Sequence, residues 1–296
     1  MFYPVFPARM LYKRKIQFMA GPESDPLPQL ILPDGVILPD GVCNPVRNVC
    51  KPLPAVKTYG CQVAKNSERK IEMEIKVVRK VLDVNDTMAA QNRKMFAEKN
   101  IFVLNVMSSP GSGKTTILEK TLARAEIKSA VIVGDICTTN DADRLAGTGV
   151  PVVQVNTDEF GGDCHLAAHV IGNAAANLDL DAIDLLIVEN VGNLVCPAEF
   201  DIGEDARVVV LSVTEGEDKP LKYPLMFRVC NAALLNKTDL LPYLDYDKEM
   251  AVRYIHQIQP EMPVFELSAK TEEGFDPWLE WLRNCVRQKL VKQNAN

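Results

Sequence analysis

A glycine-rich loop in this sequence combines residue types that can bind phosphate. The loop reads Ser108-Ser-Pro-Gly-Ser-Gly-Lys-Thr115, and its glycines allow backbone N–H groups to face an anion. Lys114 is expected to reach the β- and γ-phosphate oxygens and the Thr115 hydroxyl to bind magnesium. The usual pattern begins with glycine where this chain has Ser108, so an ordinary glycine turn remains an alternative at this point. The residues expected at the phosphates are Gly111, Ser112, Gly113, Lys114, Thr115 and Thr116.

Two later motifs can recognise a guanine base. Asn236-Lys-Thr-Asp239 follows one apolar run and Ser268-Ala-Lys270 follows the next. A carboxylate at Asp239 can accept hydrogen bonds from the N1–H and the exocyclic amine of guanine, whereas adenine has no matching donors. Sites built on such polar pairing discriminate by about 10⁴ or more, so the motifs predict a strong preference for GTP over ATP. The residues expected at the base are Asn236, Lys237, Asp239, Ser268, Ala269 and Lys270.

Acidic residues at the ends of two other apolar runs can hold a magnesium ion. Asp135 follows one run, and Glu189 begins the segment Glu189-Asn-Val-Gly192 after another. Carboxylates bind magnesium directly or through water, and the Gly192 N–H can reach a γ-phosphate. Asp141 is a further candidate, in a loop expected to respond to nucleotide. For each acid taken alone, a helix cap or a solvated side chain remains an alternative. The expected catalytic set is Lys114, Asp135, Asp141 and Glu189.

Cysteine and histidine residues in two segments suit a transition metal. Cys164 precedes His165, His169 lies four residues further on, and Cys196 follows Glu189 by seven residues. If a helix begins near the first cysteine, His165 and His169 share a face. Two thiolates with one or two imidazoles suit zinc or nickel. Buried core cysteines with surface histidines remain an alternative, although two of the chain's 3 histidines lie close to Cys164.

The composition argues against two other classes of function. The formal net charge is −6, without the basic stripe that would neutralise nucleic-acid phosphates. No stretch approaches the ~20 apolar residues that span a bilayer, and the first residues do not resemble a secretory signal. The 8 cysteines are spread along the chain, which is typical of thiols in a reducing compartment. We therefore expect a cytoplasmic protein with no nucleic-acid or membrane partner.

Short apolar runs alternate with helix-length segments over most of the chain. This alternation predicts an α/β fold with a mostly parallel, doubly wound sheet of the P-loop NTPase type, covered by helices on both faces. Ligands should then gather at the carboxyl ends of the strands. The expected strands are Ile101–Val106, Ala130–Val133, Val152–Val155, Asp184–Val188, Val208–Val213, Ala232–Leu235 and Val264–Leu267.

Three regions are expected along the chain. Residues 1–66 hold ten of the 19 prolines and are expected to be a disordered extension, because proline removes backbone donors. A natural start further along, for example at Met73, is one explanation for this extension. Residues 67–99 are expected to form helices that pack on the GTPase domain, and residues 100–292 to form that domain with its metal site.

The region before the GTPase domain is expected to contain two helices. The apolar residues between positions 67 and 82 have helical spacing, and Asn85-Asp86 is expected to break the pattern. A second helix is expected from Thr87 to Glu98.

Together these motifs resemble the HypB family of hydrogenase nickel-incorporation GTPases, which are P-loop GTPases of the SIMIBI class. The segments that carry the resemblance are Ser108–Thr115, Gly134–Arg144, Cys164–Leu166, Glu189–Pro197, Val213–Pro220 and Asn236–Asp239. It covers about residues 70–290, and the combination is far more specific than any single motif.

The resemblance implies a function, cofactors and partners. Members of this family are GTP-dependent homodimers that pass nickel to the large subunit of nickel–iron hydrogenase, working with a small zinc-bearing metallochaperone, HypA. The implied cofactors are GTP or GDP, Mg²⁺, and Ni²⁺ or Zn²⁺. The implied interface ligands are Cys164, His165 and Cys196, and His169 matches a position that binds metal in some relatives. The N-terminal cysteine cluster and histidine tract of many bacterial members are absent from this sequence.

A nucleotide-driven switch is the working hypothesis. GTP and magnesium would order the loops bearing Asp135, Asp141 and Glu189–Cys196, which would bring two subunits together and complete the metal site. Two other interpretations stay open. The chain could be a related GTPase that serves urease or a cobalamin enzyme, although the urease type has Cys-Pro-His where this chain has Ala198 after Cys196-Pro197. It could also be a non-enzymatic metal buffer.

Overall fold

The computed structural model describes residues 82–135, 140–156 and 164–294. The chain divides into two units, Met1–Arg69 and Lys70–Asn296, and every described residue belongs to the second. The extension predicted over residues 1–66 therefore lies outside the described residues. No helix in the described ranges is both long and apolar enough to cross a membrane.

Seven strands form one sheet in which every pairing is parallel, so the predicted α/β fold is confirmed. The strands are β1 (Phe102–Ser108), β2 (Ser129–Asp135), β3 (Val152–Asn156), β4 (Leu185–Gly192), β5 (Ala206–Ser212), β6 (Ala232–Asn236) and β7 (Val264–Glu266). Their order across the sheet is β3-β2-β4-β1-β5-β6-β7. The carboxyl end of β1 is thus flanked by the ends of β4 and β5, where an open α/β sheet places its ligands.

Helices cover both faces of the sheet. They are α1 (82–98), α2 (Lys114–Ala125), α3 (Asn140–Ala146), α4 (Ala168–Ala175), α5 (Cys196–Glu199), α6 (Lys219–Lys222), α7 (Pro224–Val229), α8 (Lys248–Ile258) and α9 (Phe275–Asn294), with 3₁₀ turns at Leu180–Ala182 and Thr238–Tyr243. Alternate residues of β1 point to opposite faces, as in any strand. On one face, Leu104 and Val106 pack in a core with α2 and α9. On the other face, Val103 packs in a core with α1 and α4, and Met107 packs in a core with α7 and α8.

Strand β4 continues four residues beyond its predicted end. The apolar run stops at Val188, but the strand continues to Gly192 and includes Glu189 and Asn190, which are both buried. Strand β4 still pairs with β1 over this polar stretch, with Ser108 opposite Gly192. The extension places the acidic segment directly beside the start of the phosphate loop.

The predicted helix break at Asn85-Asp86 is wrong, because α1 runs without interruption from residue 82 to 98. Asn85 is almost fully buried, and its side-chain amide is used in tertiary contacts instead of ending the helix. Its Oδ1 accepts from the Ala168 N–H at 2.9 Å and its Nδ2 donates to the Asp201 carbonyl at 2.7 Å. The helix predicted before residue 82 lies outside the described residues, and the regional boundaries at 67–99 and 100–292 stay a prediction.

Candidate functional site

The phosphate loop connects β1 to α2 through two glycines with left-handed backbone angles. Gly111 has φ +74° and Gly113 has φ +96°, and residues other than glycine rarely adopt such backbone angles. A Cβ on Gly113 would also meet the Asn236 Nδ2 atom at 2.4 Å. Helix α2 begins at Lys114, so its N-terminal N–H groups face the position expected for the phosphates.

Lys114 and Ser108 interact within this loop. The Lys114 Nζ donates to the Ser108 Oγ at 2.8 Å, and the Ser108 hydroxyl donates to the Ser109 carbonyl at 2.6 Å. Ser108 is fully buried. The serine that replaces the usual glycine therefore has a role, since it orients the lysine within the loop.

Asn236 joins the phosphate loop to the two guanine motifs. Its Nδ2 donates to the Ser112 carbonyl at 2.9 Å, and its Oδ1 accepts from the Ala269 N–H at 3.0 Å. Lys237 has φ +64° and donates through Nζ to the Gly111 carbonyl at 2.8 Å. These bonds bring the three motifs together at the carboxyl ends of β1, β6 and β7.

The Asp239 carboxylate is held in place by the second guanine motif. The Ser268 hydroxyl donates to its Oδ1 at 2.6 Å. The same hydroxyl accepts from the N–H groups of Lys270 and Thr271 at 3.2 and 3.1 Å. The carboxylate is therefore oriented before any base arrives, which lowers the ordering cost of binding.

Glu189 and Thr115 form the candidate magnesium site. The Thr115 hydroxyl donates to the Glu189 Oε1 at 2.8 Å, and Glu189 is 3% exposed. Its Oε2 is buried without a hydrogen-bond partner among the described residues. A buried, unpaired carboxylate oxygen beside a threonine hydroxyl is the oxygen-rich environment that magnesium prefers, so these residues fit the ion.

Two other predicted acidic residues lie at the same edge of the sheet. Val133 pairs with Glu189 across β2 and β4, so Asp135 lies two residues further along, at the end of β2. Asp141 lies in the first turn of α3. It forms an ion pair of 3.6 Å with Arg144. Burial is the main cause of the raised pKa of Glu189, and the charge of Asp141 raises it further.

Gly192 approaches the phosphate loop closely. A Cβ at this position would meet the backbone of Pro110, with the Cα at 3.1 Å and the N at 3.2 Å. Only a residue without a side chain fits here without displacing the loop. The Gly192 N–H is thereby placed beside the loop that should carry the γ-phosphate.

The candidate transition-metal residues lie in two segments that contact one another. The Cys164 Sγ is 4.0 Å from the His165 Nδ1, and both side chains are half-buried. The His165 ring stacks on Phe200 with ring centroids 3.8 Å apart. Cys196 is the first residue of α5, and Phe200 directly follows its last residue. The backbone of Cys196 is therefore about 6 Å from the backbone of Phe200 along the helix axis.

The predicted shared helix face for His165 and His169 is not formed. Helix α4 begins at Ala168, so His165 lies before the helix and the exposed His169 lies in its first turn. Among the residues that the structure describes, no three histidine, cysteine, aspartate or glutamate side chains gather closely enough to hold a metal ion.

Comparison with known proteins assigns the family. Residues 102–266 match the family model of the CobW/HypB/UreG nucleotide-binding domain. The chain is 52% identical over 219 residues to hydrogenase maturation factor HypB of Escherichia coli K12, covering 73% of each chain. The chain belongs to the HypB family. It is also 38% identical over 234 residues to the hydrogenase/urease maturation factor HypB of Helicobacter pylori strain J99, covering 78% of this chain and 96% of that protein.

Solved HypB structures have the same fold. The crystal structure of Helicobacter pylori HypB in complex with nickel superimposes with a TM-score of 0.66 at 38% identity, covering 70% of this chain and 96% of that chain. Archaeoglobus fulgidus HypB superimposes with a TM-score of 0.65 at 36% identity, covering 69% of this chain and all of the other. The predicted family and fold are confirmed, and this HypB-family chain is a P-loop GTPase.

Two side chains of this HypB-family site were missed by sequence reasoning. Arg144 donates to the Thr116 hydroxyl at 2.9 Å and lowers the pKa of Glu189 through its charge. Glu215 accepts a hydrogen bond from the Ser109 hydroxyl, and its Oε1 is buried without a partner among the described residues. Both lie within segments that carry the family resemblance, but their targets are distant in sequence, so the motifs alone do not reveal these contacts.

Because Glu189 is buried, we expect the free energy of unfolding of the protein to depend on pH when nucleotide and magnesium are not bound. Burial raises the pKa of Glu189 from 4.5 to about 7, against the opposing effects of Lys114 and the Thr115 hydroxyl. At pH values between these two pKa values, the folded state binds more protons than the unfolded state. The free energy of unfolding therefore falls as the pH rises through this range. The contribution of Glu189 to this loss is roughly 3 kcal/mol.

Urea unfolding between pH 4.5 and 8 measures this effect. Glu189→Gln is expected to flatten the fall relative to the wild type, because glutamine does not titrate. Glu249→Gln, on the exposed surface of α8, serves as the matched control and should keep the wild-type slope. Parallel curves for the wild type and Glu189→Gln would contradict the prediction.

Proposed function

We propose that this chain is a cytoplasmic, GTP-hydrolysing metallochaperone that assists nickel insertion into the large subunit of nickel–iron hydrogenase. In this proposal it binds nickel or zinc at a site shared by two copies of the chain and works with a HypA-like metallochaperone. The observation that carries the proposal is the segment from Glu189 to Cys196. Its first residue contacts Thr115 of the phosphate loop, and its last begins α5, which ends against His165.

The nucleotide half of the proposal uses the loops described above. Lys114 would hold the β- and γ-phosphates, and the ordered Asp239 carboxylate would select guanine. Thr115, Glu189 and Asp135 would hold magnesium, which supplies positive charge against the charge that develops on the phosphates. The proposed nucleotide-binding residues are Gly111, Ser112, Gly113, Lys114, Thr115, Thr116, Gly192, Asn236, Lys237, Asp239, Ser268, Ala269 and Lys270, with Asp141 in a nucleotide-responsive segment.

The metal half rests on Cys164, His165 and Cys196 as ligands, with His169 as an additional candidate. Thiolate and imidazole ligands accept both nickel and zinc. Two of these side chains are adjacent, and the third lies on the neighbouring segment. The similar HypB of Helicobacter pylori was solved in complex with nickel, which supports nickel as the cargo.

Exposed apolar side chains support a homodimer. Leu221 lies on α6, which follows β5, and Tyr243 and Leu244 follow β6. Tyr243 is 82% exposed, and Leu221 and Leu244 are also exposed. Helix α6 and the turn at 238–243 follow the carboxyl ends of the neighbouring strands β5 and β6, so both elements follow the nucleotide edge of the sheet. Exposed apolar side chains on these elements support an association surface at this edge, and a dimer formed there would respond to nucleotide.

Metal titration in defined nucleotide states tests the proposal. Cys196→Ala is expected to lower Ni²⁺ affinity about tenfold or more, because removing one ligand of a small set removes a metal–thiolate bond. Without metal, GTP affinity should stay at the wild-type value, since Cys196 is not among the proposed nucleotide-binding residues. Affinity is measured by calorimetry and oligomer size by light scattering, each with GDP and with a non-hydrolysable GTP analogue.

A matched control distinguishes a lost ligand from a general cysteine effect. Cys285→Ser changes another half-buried thiol on α9 and should leave Ni²⁺ binding unchanged. Wild-type affinity in Cys196→Ala would remove Cys196 from the site. Identical Ni²⁺ affinity and oligomer size in both nucleotide states of the wild type would refute nucleotide coupling.

A further inference from the structure

A row of buried polar side chains crosses the sheet beside the candidate site. Asn190 on β4, Asn105 on β1 and Glu204 before β5 are all buried, and Arg207 on β5 is half-buried. The Asn190 Nδ2 donates to the Asn105 Oδ1 at 3.2 Å, and the Asn105 Nδ2 donates to the Glu204 Oε1 at 3.3 Å. Arg207 completes the row by donating through Nε to the same Glu204 oxygen. We call these four residues the polar row.

One end of the polar row holds the segment that carries Cys164 and His165. The Asn190 Oδ1 accepts from the Leu166 N–H at 3.2 Å and from the Val191 N–H at 2.9 Å. Leu166 directly follows His165, and Asn190 directly follows Glu189. The Asn190 amide group therefore connects the segment that carries His165 to the segment that carries Glu189, the candidate magnesium ligand.

The other end holds the segment that carries Cys196. The Arg207 Nη1 donates to the Ala198 carbonyl at 3.4 Å and the Nη2 donates to the Phe200 carbonyl at 3.3 Å. Ala198 lies within α5 and Phe200 directly follows its last residue. The planar guanidinium thus fixes both carbonyls relative to Glu204.

The amides in the row can have only one orientation. Leu166 and Val191 both present N–H groups to Asn190, so the Asn190 oxygen must face them and its NH₂ group must face Asn105. Asn105 must then present its oxygen to Asn190 and its NH₂ to the Glu204 carboxylate. Reversing either amide would place acceptor against acceptor or donor against donor, so the row tolerates one relative placement of the segments that it joins.

Helix α1 joins the same two segments from the outside. The Asn92 Nδ2 donates to the Ala168 carbonyl at 2.7 Å and to the Ile202 carbonyl at 3.1 Å. Asn85 accepts through Oδ1 from the Ala168 N–H and donates through Nδ2 to the Asp201 carbonyl. Four amide hydrogen bonds from α1 therefore hold the two metal-bearing segments to one rigid helix.

Burial of this many polar groups does not by itself favour folding. Apolar side chains of similar volume are often as stabilising as a buried ion pair or more so, whereas a fully satisfied polar network specifies one arrangement. The contacts of the row are concentrated on segments that carry the candidate ligands and on the residue next to Glu189. This distribution points to positioning as the role of the row.

We propose that Asn190, Asn105, Glu204 and Arg207 are positioning residues that transmit the nucleotide-dependent position of Glu189 to the Cys164-His165 and Cys196 segments. The inference rests on the proposed function, because it assigns the route by which that function couples its two sites. A movement of β4 at Glu189 changes the position of the Asn190 amide, and the row carries this change to Leu166 and, through Arg207, to α5.

The test measures Ni²⁺ affinity in the GDP state and in the GTP-analogue state and takes their ratio. Two variants break the row without touching the nucleotide loops or the metal residues. Asn105→Asp keeps the shape and the acceptor for Asn190, but it places a carboxylate oxygen against Glu204. Arg207→Lys keeps a positive charge beside Glu204 and loses the planar fork that binds the Ala198 and Phe200 carbonyls.

In both variants, the ratio of the Ni²⁺ affinities in the two nucleotide states is expected to move toward one by a factor of about five or more. A change of this size lies within the usual range of coupling between sites. GTP affinity and turnover should remain near the wild-type values. Lys289→Met is the control, because it removes the ion pair with Asp205, the residue next to Glu204, and leaves the four residues of the polar row unchanged. A purely structural role would lower stability in all three variants without changing the ratio.

The outcomes separate this inference from the function beneath it. A nucleotide-dependent ratio in the wild type that persists in Asn105→Asp and Arg207→Lys would overturn the positioning role and leave the proposed function standing. A wild type that binds no Ni²⁺, or binds it equally in both states, would overturn the proposed coupling and this inference with it. If Asn105→Asp does not fold, Arg207→Lys decides the matter, since its side chain lies nearer the surface.

Discussion

Asp239→Asn is expected to lower the affinity for GTP by a factor on the order of 10³ or more and to create affinity for xanthosine triphosphate. The wild-type carboxylate presents two acceptor oxygens, and the Ser268 hydroxyl fixes one of them at 2.6 Å. Asparagine replaces one acceptor with an NH₂ donor, which faces the exocyclic amine of guanine as donor against donor. Xanthine has a carbonyl oxygen in place of that amine and therefore pairs with the new donor.

Fluorescence titration with GDP and with xanthosine diphosphate measures both halves of this prediction. Asp245→Asn provides a control with the same chemical change, because Asp245 is exposed and lies just beyond the motif. The control should keep its preference for guanine. Unchanged affinity for GDP in Asp239→Asn would mean that Asp239 does not contact the base.

The core of the fold could be predicted from the sequence because its signals are local. Each buried strand is a short apolar run, and the predicted strands overlap the observed ones. The end of β4 was missed because Glu189 and Asn190 are polar but buried. Their burial depends on a pairing with β1, which lies more than eighty residues earlier, and an apolar pattern contains no information on such a partner.

The helical predictions failed where tertiary contacts replaced local preferences. Asparagine and aspartate favour helix ends because their side chains compete with backbone hydrogen bonds. Asn85 instead bonds to Ala168 and Asp201, so its side chain is satisfied elsewhere and α1 continues. The four-residue spacing of His165 and His169 suggested one helix face, but α4 begins only at Ala168.

The candidate site was partly accessible to sequence reasoning. The phosphate and guanine motifs have fixed spacings, and the structure brings them together through Asn236. The polar row could not be anticipated, because Asn105 and Asn190 lie in strands that are far apart in sequence. Their pairing requires the strand order β4-β1-β5, which the sequence pattern does not specify.

Lys114→Ala is expected to lower GTP turnover about 10³-fold, to a rate close to background. The ammonium group is the positive charge of the phosphate loop, and a preorganised donor of this kind is worth about 10² to 10³ in rate. Loss of its contact with both phosphates adds to this effect. Its charge also holds down the pKa of Glu189, so the variant should bind magnesium nucleotide more weakly near neutral pH, where a larger share of Glu189 is protonated.

Phosphate release under single-turnover conditions measures the rate, and Lys120→Ala is the matched control. Lys120 lies on the same helix and pairs with Glu272 at 2.7 Å on the surface, a contact worth about 1 kcal/mol or less. The control should therefore keep the wild-type rate. Turnover that survives in Lys114→Ala would place hydrolysis outside this loop. Absence of turnover in the wild type would instead favour a metal buffer in which nucleotide only stabilises the fold, because the lysine would then have no transition state to stabilise.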